Sequence, residues 1–446
     1  MLRKIVKVFS VSTIGKILGF IKIQLLTTHF GANAYTDAII IVMNIYWFWS
    51  NEIVFSLFSN TLIPKLAKSE VRKKQVFETL KILCSANLLT VFFLFCAIFI
   101  GKWVIFLFAP MASDEFFDHG VLLMLVLSPL AILIPITEIF TLHNQYREKY
   151  VTSSINMIVW NSFQIIAILI AQYFLSPLLL IYLFGGLTIV GYVITTYLQL
   201  SASNFFKYFK LRHIFNISFK NFKLNVIENS KFFISTVLFQ INVYINYAFI
   251  SKLSKGSITT YDIILKVPNV FQSLLMSSLS IIFFNAISNE KHRSSEYFWK
   301  FTKGMFALIL PIAIVAKIFG LDLLYLIYNK KVFIGRDGVL IVLFVGFINI
   351  YFMGKLSLLI KTIIVNEKGN FLLISTIFAT LLNAILNYFA VDNYGLAGVI
   401  TTTLLVNILL TLALQTSIFI GDKNYKKFIA LDLFVIFFSI LLFRFF

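Results

Sequence analysis

Apolar residues run along this chain in long blocks separated by short polar stretches. About thirteen blocks stand out, near 5–28, 38–62, 80–108, 121–142, 151–174, 177–200, 228–251, 259–288, 299–319, 338–362, 370–391, 394–419 and 428–446. A helix needs about 20 apolar residues to cross a hydrocarbon core roughly 30 Å thick, and these blocks are of that order. The pattern predicts an all-α polytopic membrane protein.

The polar stretches alternate in charge. One set, beginning with Arg3, Lys4 and Lys7, holds 24 Lys and Arg; the opposite set holds six, namely Lys252, Lys255, Lys330, Lys331, Arg336 and Arg444. The positive-inside rule places the basic set, and with it the N-terminus, in the cytoplasm. An odd number of spans leaves the C-terminus outside, unless the last block is re-entrant or interfacial. No cleavable signal peptide is read after Leu2, Arg3 and Lys4, because the apolar pattern runs too long and no small-residue cleavage site follows.

The longest basic connection, 201–227, follows the sixth block and mixes Phe and Tyr with Lys and Arg. An amphipathic helix lying on anionic membrane lipids has that character; a solvated basic loop is the alternative. It separates an N-terminal six-helix lobe over 1–200 from a C-terminal six-helix lobe over 228–420, with an extra hydrophobic helix over 421–446. The halves echo each other. Tyr35-Thr36-Asp37 opens the second block after a turn with Gly31, and Thr260-Tyr261-Asp262 opens the eighth after a turn with Gly256. Those blocks end in polar segments at Pro64-Lys65 and Asn285-Ala286. Two pseudo-symmetric six-helix bundles, repeated in parallel about the membrane normal, account for the echo.

Composition fits this picture. The chain is 59% hydrophobic and 13% charged, whereas soluble domains carry about 25% charged residues. The net charge of +19 belongs to the cytoplasmic connections, so no nucleic acid partner is expected. Cys84 and Cys96 lie about 18 Å apart on one predicted helix, too far to bridge each other. No GxxxxGK[ST] phosphate loop, metal-spaced His cluster or nucleophile elbow occurs, so neither enzymatic chemistry nor a cofactor is expected. A coupling ion is left open.

The candidate chemistry lies in charges within the blocks. The hairpin over 13–66 contains Lys16, Lys22 and Glu52. An ionisable side chain in hydrocarbon costs at least ~2.5–3.5 kcal/mol, so such groups face water, a ligand or one another. Lys16 lies about eleven residues from either end of its block, between Gly15 and Gly19, a small-xxx-small spacing that lets helices approach closely. Two roles are open for it: a buried ion pair with Glu52, or a cationic wall for an anionic headgroup. Lys22 points about 120° away from Lys16 on a regular helix. Lys266 precedes the helix-breaking Pro268, and Lys355 falls within the tenth block. Asp37 and Asp262 stand at helix starts, where capping their own helices competes with gating or ion coupling. Lys231, Lys317, Glu138 and Asp432 are near block ends and are expected to reach the interface.

These residues carry a family resemblance. LGF at 18–20, FGANAYTDA at 30–38 and the Ser59…Pro64 ending resemble the MurJ/MviN lipid II flippases of the MOP superfamily. FQINVYINYAFISKL at 239–253, YDIILKVP at 261–268, Leu127-Ser128-Pro129 with Asn144 and Tyr146, and YGLAGVITT at 394–402 extend the likeness to about residue 420. The resemblance implies two six-helix bundles around a V-shaped cavity, with alternating access for an undecaprenyl-diphosphate-linked sugar. It implies that Lys16 and Lys22 stand where the family has cavity arginines and Asp37 at its matching aspartate. Ser50 and Ile263 stand where the family usually has further arginines. Lysine for arginine loses bidentate phosphate recognition.

The resulting expectation is a monomeric flippase of the bacterial inner membrane, partnered by an undecaprenyl-diphosphate-linked glycan. It would carry O-antigen, capsule or exopolysaccharide repeat units, the Wzx-type role. Lipid II is the alternative cargo, and a cation-coupled drug antiporter the second alternative. The diphosphate would meet Lys16, Lys22, Lys266 and Lys355, with Asp37, Glu52 and Asp262 in cavity or gating roles. A polytopic glycosyltransferase would need larger outer loops than 112–119 supplies.

Overall fold

The computed structural model describes residues 2–55, 62, 66, 72–174, 176–208, 219–289, 293–328, 330–333, 338–366 and 368–445. Its helices are α1 (Leu2–Phe30), α2 (Ala34–Trp47), α3 (Arg72–Phe99), α4 (Gly101–Phe108), α5 (Asp114–Val126), α6 (Leu130–Tyr146), α7 (Tyr150–Ser154) and α8 (Asn156–Phe174). Then follow α9 (Pro177–Ala202), α10 (Phe205–Tyr208), α11 (Phe219–Ile250), α12 (Ser257–Asn289), α13 (Ser294–Ile327), α14 (Val339–Val365), α15 (Gly369–Phe419) and α16 (Tyr425–Phe445). Among the described residues there is no strand, and six helices are long and apolar enough to cross a membrane, eight if each bent pair counts as one span. The chain is a multi-pass membrane protein of the all-α class expected from its pattern.

Three predicted blocks are not straight. The block at 80–108 turns by 97° between Phe99 and Gly101, and α5 meets α6 at 58° across Leu127-Ser128-Pro129. Proline cannot donate the next helical hydrogen bond, which ends α5 where the sequence places Pro129. In α15, Gly395 takes φ +50°, a left-handed value that only glycine adopts at low cost, and so separates the two blocks expected at 370–391 and 394–419. By contrast α12 stays helical through Pro268, whose ring rests near Gly346 of α14. The second block also departs from the α-helix: α2 passes into a π-helical turn, Phe48–Phe55.

By internal contacts the chain forms two units, Met1–Gln240 with Ser251–Thr260, and Ile241–Ile250 with Tyr261–Phe446. The boundaries between these units fall within α11 and near the start of α12. Within the 201–227 connection, 209–218 lie outside the described residues, Phe205 of α10 is buried against Phe140, and helix resumes at Phe219. The 59–61 and 63–64 parts of the second block's polar ending also lie outside them.

In the first unit, α8 is the shared support. It packs along α1 and α9. Gly15 is what lets α1 lie so close, since a Cβ there would fall 2.9 Å from Met157, and Gly191 gives α9 the same access to the backbone of Trp160. The small-residue spacing read from the sequence thus marks a real helix contact. α6 packs against α3 and α9, where Asn144 donates to both oxygens of Gln199 and Thr137 pairs with Thr196 at 2.7 Å.

In the second unit, α14 is the most enclosed spanning helix, packed between α13 and α15. It carries Lys355, which is fully buried and donates to both oxygens of Asp432 on α16, at 2.6 and 2.7 Å. Tyr351 adds a 3.0 Å hydrogen bond to the same carboxylate, and the ammonium lies 5.6 Å from the Phe298 ring. This corrects two expectations. Lys355 is not available to a headgroup, and Asp432 is a core residue rather than an interfacial one. Neutralising one partner strands the other charge in a low-dielectric core, which costs about 3–5 kcal/mol. Asp432→Leu should therefore lower the melting temperature in detergent markedly. Lys355→Met combined with Asp432→Leu should recover most of the loss.

Candidate functional site

α1 presents two half-exposed cations, Lys16 and Lys22, in the middle of an apolar helix. Their environments differ. Lys22 donates to Gln164 Oε1 at 2.9 Å, and Gln164 in turn donates to Thr188 at 3.1 Å, so its ammonium is held by a relay running from α8 to α9. Lys16 has no hydrogen-bond or ion-pair partner among the described residues. The Lys16–Glu52 pair weighed from the sequence is not formed. Glu52, half-buried in the π-helical turn, receives a hydrogen bond from Gln240 instead. A π-helical turn shifts the register by one residue per turn relative to α-helix, and such insertions recur at functional sites. Here it encloses Ser50 completely and leaves Glu52 half-exposed.

Asp37 does not cap its own helix. Asn33 does so, accepting from Thr36 N–H at 3.2 Å, while the Thr36 hydroxyl accepts from Asn33 N–H at 2.9 Å in a capping box. This leaves the Asp37 carboxylate, 5% exposed, for another helix start. Its Oδ2 accepts from Gly256 N–H at 2.7 Å; its Oδ1 accepts from Thr259 N–H at 2.7 Å and from the Thr259 hydroxyl at 2.6 Å. These amides are the free donors at the N-terminus of α12, where the helix dipole also favours an anion. Gly256 reaches the geometry with φ +83°. The turn Ser251–Thr260 is thereby tied into the first unit. Ser251 accepts from Met111 N–H at 3.2 Å, and Lys255 meets Glu115 at 2.6 Å on the exposed rim. Lys255 draws the Glu115 carboxyl below the usual carboxylate range.

Asp262, expected as the matching cap, instead lies in the second turn of α12. It accepts from the Tyr247 hydroxyl at 3.1 Å and stands 3.5 Å from Lys266, one turn on. Lys266 keeps 39% of its side chain exposed, so a ligand can reach it, but part of its field is answered by Asp262. Ile263 is fully buried. Lys317 is buried too, 5.6 Å over the Phe344 ring, rather than interfacial. Glu138 is half-buried near Tyr192, and the Lys231 side chain lies outside the described residues.

Of the four cations read from the sequence, α1 brings Lys16 and Lys22 to one helix, Lys266 stands in the other unit, and Lys355 is withdrawn. Gln164 and Thr259, which fix Lys22 and receive Asp37, were not singled out. A polar residue such as Gln164 inside an apolar block is the signal that could have found the first of them. Nothing in the sequence marks Thr259. Among the described residues no group of three or more His, Cys, Asp or Glu is placed to hold a metal.

The family described as "Lipid II flippase MurJ" matches residues 26–444. Among solved structures, a lipid II flippase MurJ in its inward closed conformation is similar over 97% of this chain and 91% of its own, at 18% identity and a TM-score of 0.79. A MATE transporter in the straight conformation is similar over 95% of this chain and 96% of its own, at 13% identity and a TM-score of 0.66. A MOP superfamily transporter from Pyrococcus furiosus gives the same coverage and identity, with a TM-score of 0.63. At such identities these structures speak to the fold alone. No curated protein sequence matches the chain.

If Asp37 closes the start of α12, its removal should free the Gly256 and Thr259 amides. Asp37→Ala should lower stability by about 1–2 kcal/mol and speed hydrogen exchange at those two positions. Asp37→Asn, which keeps an acceptor but not the charge, should fall between. Unchanged exchange in Asp37→Ala would show that the cap holds nothing.

Proposed function

The chain belongs to the lipid II flippase MurJ family, and from that membership we propose that it moves an undecaprenyl-diphosphate-linked saccharide from the cytoplasmic to the outer leaflet. It is a transporter and not an enzyme. The observation that carries the cargo reading is Lys16, a partly buried ammonium in the middle of α1 with no hydrogen-bond or ion-pair partner among the described residues. A charge left unanswered there is costly unless water or an anionic ligand meets it, and a diphosphate supplies the anion. Lys22, oriented by Gln164, stands six residues further along α1 and offers a second cation to a more distant part of the same headgroup.

Lysines at 16 and 22, Ser50 and Ile263 favour a saccharide repeat unit as the cargo. They provide point charges and not the planar forks that grip a diphosphate bidentately. Lipid II is the second reading, favoured by the description of the family itself. A drug antiporter needs acidic residues toward its cargo; Asp37 and Asp262 are both occupied by protein donors. We place the protein in the bacterial inner membrane with a cytoplasmic N-terminus, working as a monomer by alternating access.

The test is headgroup translocation in vesicles, with lipid II and an undecaprenyl-diphosphate oligosaccharide offered separately. Losing one charge-assisted contact of about 1.5–3 kcal/mol should slow transport roughly tenfold or more in Lys16→Ala. Lys16→Arg should retain it. Unimpaired transport by Lys16→Ala would remove the cation from the mechanism, and transport of lipid II alone would reverse the order of the two cargoes.

A further inference from the structure

Trp47 closes α2 at the point where the helix passes into the π-helical turn, and its indole remains 38% exposed. It is held from behind. Its ring meets Trp160 edge-on at 5.7 Å between centroids, and Trp160 lies stacked on Tyr192 at 4.8 Å. Both supporting rings are buried, at 9% and 2% exposure. The neighbouring Tyr46 fixes the backbone by donating its hydroxyl to Met124 O at 2.7 Å. The result is a three-ring cluster, one edge-on contact and one stacked pair, in which Trp47 keeps 38% of its surface exposed.

That surface belongs to the flank that carries the cations. Trp160 and Gln164 are four residues apart on α8, hence on the same face and about 6 Å apart along the axis. Gln164 grips Lys22, and Asn161 on the adjoining face donates to Gly15 O at 3.0 Å, next to Lys16. One strip of α8 therefore contacts both the Lys22 ammonium, through Gln164, and the Trp47 ring, through Trp160. A partly buried ammonium within an apolar block is expected to turn to a polar space rather than to acyl chains. The indole and the Lys22 ammonium meet that strip of α8 one helical turn apart, through Trp160 and Gln164.

We propose that Trp47 is a saccharide-stacking residue, the floor on which a pyranose ring of the carried headgroup rests while Lys22, held one turn along α8, meets the neighbouring phosphate. The inference rests on the flippase reading above and names the part of the cargo that this surface recognises. The axial C–H bonds of a pyranose carry partial positive charge, and the indole face is the electron-rich side of its quadrupole. Face-to-face contact is therefore attractive and removes apolar area on both sides from water. It reads the shape of a sugar ring without reading each hydroxyl. A stack supported by Trp160 and Tyr192 has already lost its rotamer freedom, so little ordering cost remains at binding.

The experiment compares two probes in nanodiscs, undecaprenyl diphosphate and undecaprenyl diphosphate bearing a disaccharide. In the Trp47→Ala variant, affinity for the disaccharide lipid should fall roughly tenfold, and that for the bare diphosphate by less than about twofold. Trp47→Tyr, which keeps a flat ring, should restore most of the difference. Lys16→Ala should weaken both probes alike. Equal losses for both probes in Trp47→Ala, or no loss for either, would overturn the stacking site. Failure of the wild-type chain to bind either probe would overturn the cargo reading itself, and the stacking site with it. A second readout separates sugar from lipid contact directly. The emission lost in Trp47→Phe relative to wild type should be shielded from aqueous acrylamide by the disaccharide lipid. Strong quenching of that emission by lipids brominated in their acyl chains would place the indole against hydrocarbon and sink the proposal.

Discussion

Charge inside hydrocarbon is the constraint around which this structure is built. Every ionisable group in the spanning helices has to be answered by another charge, by a set of hydrogen-bond donors or by a polar space. The chain uses all three solutions. Lys355 and Asp432 answer each other in the core of the second unit. Asp37 is answered by the free amides of a helix start. Lys22 is answered by an amide side chain, and Lys16 by nothing among the described residues. Sorting the charges this way separates residues paired across helices, such as Lys355 with Asp432, from Lys16, which has no such partner among the described residues.

The Asp37 contact shows how one carboxylate can serve a helix far away in sequence. An aspartate in the first turn of a helix ordinarily stabilises that helix. Here Asn33 and Thr36 have already satisfied the start of α2, so the carboxylate is released to the amides at Gly256 and Thr259. A contact built from three donors and a single charge is strong while formed and is lost as a unit once the geometry opens.

The first unit also joins rigidity to openness along one helix. α8 supports α1 through Met157 and Asn161, orients Lys22 through Gln164 and backs Trp47 through Trp160. Glycines at 15 and 191 bring the backbones close enough for those side chains to reach.

Length and repetition of apolar blocks determined the all-α membrane class, because the bilayer sets the helix length and leaves few alternatives. The glycine spacing around Lys16 and the break at 394–395 were legible for the same local reason: they act through their own backbone. The pairing of charges was not legible. Lys355 and Lys16 look alike in sequence, each a lysine within an apolar block, yet one is fully buried on Asp432 and the other half-exposed. Nor could the sequence show that Asp37 would leave its own helix to Asn33, or that Trp47, Trp160 and Tyr192 would stack. Those outcomes depend on which side chains meet across sequence separations of 77, 222 or 113 residues, and only packing decides that.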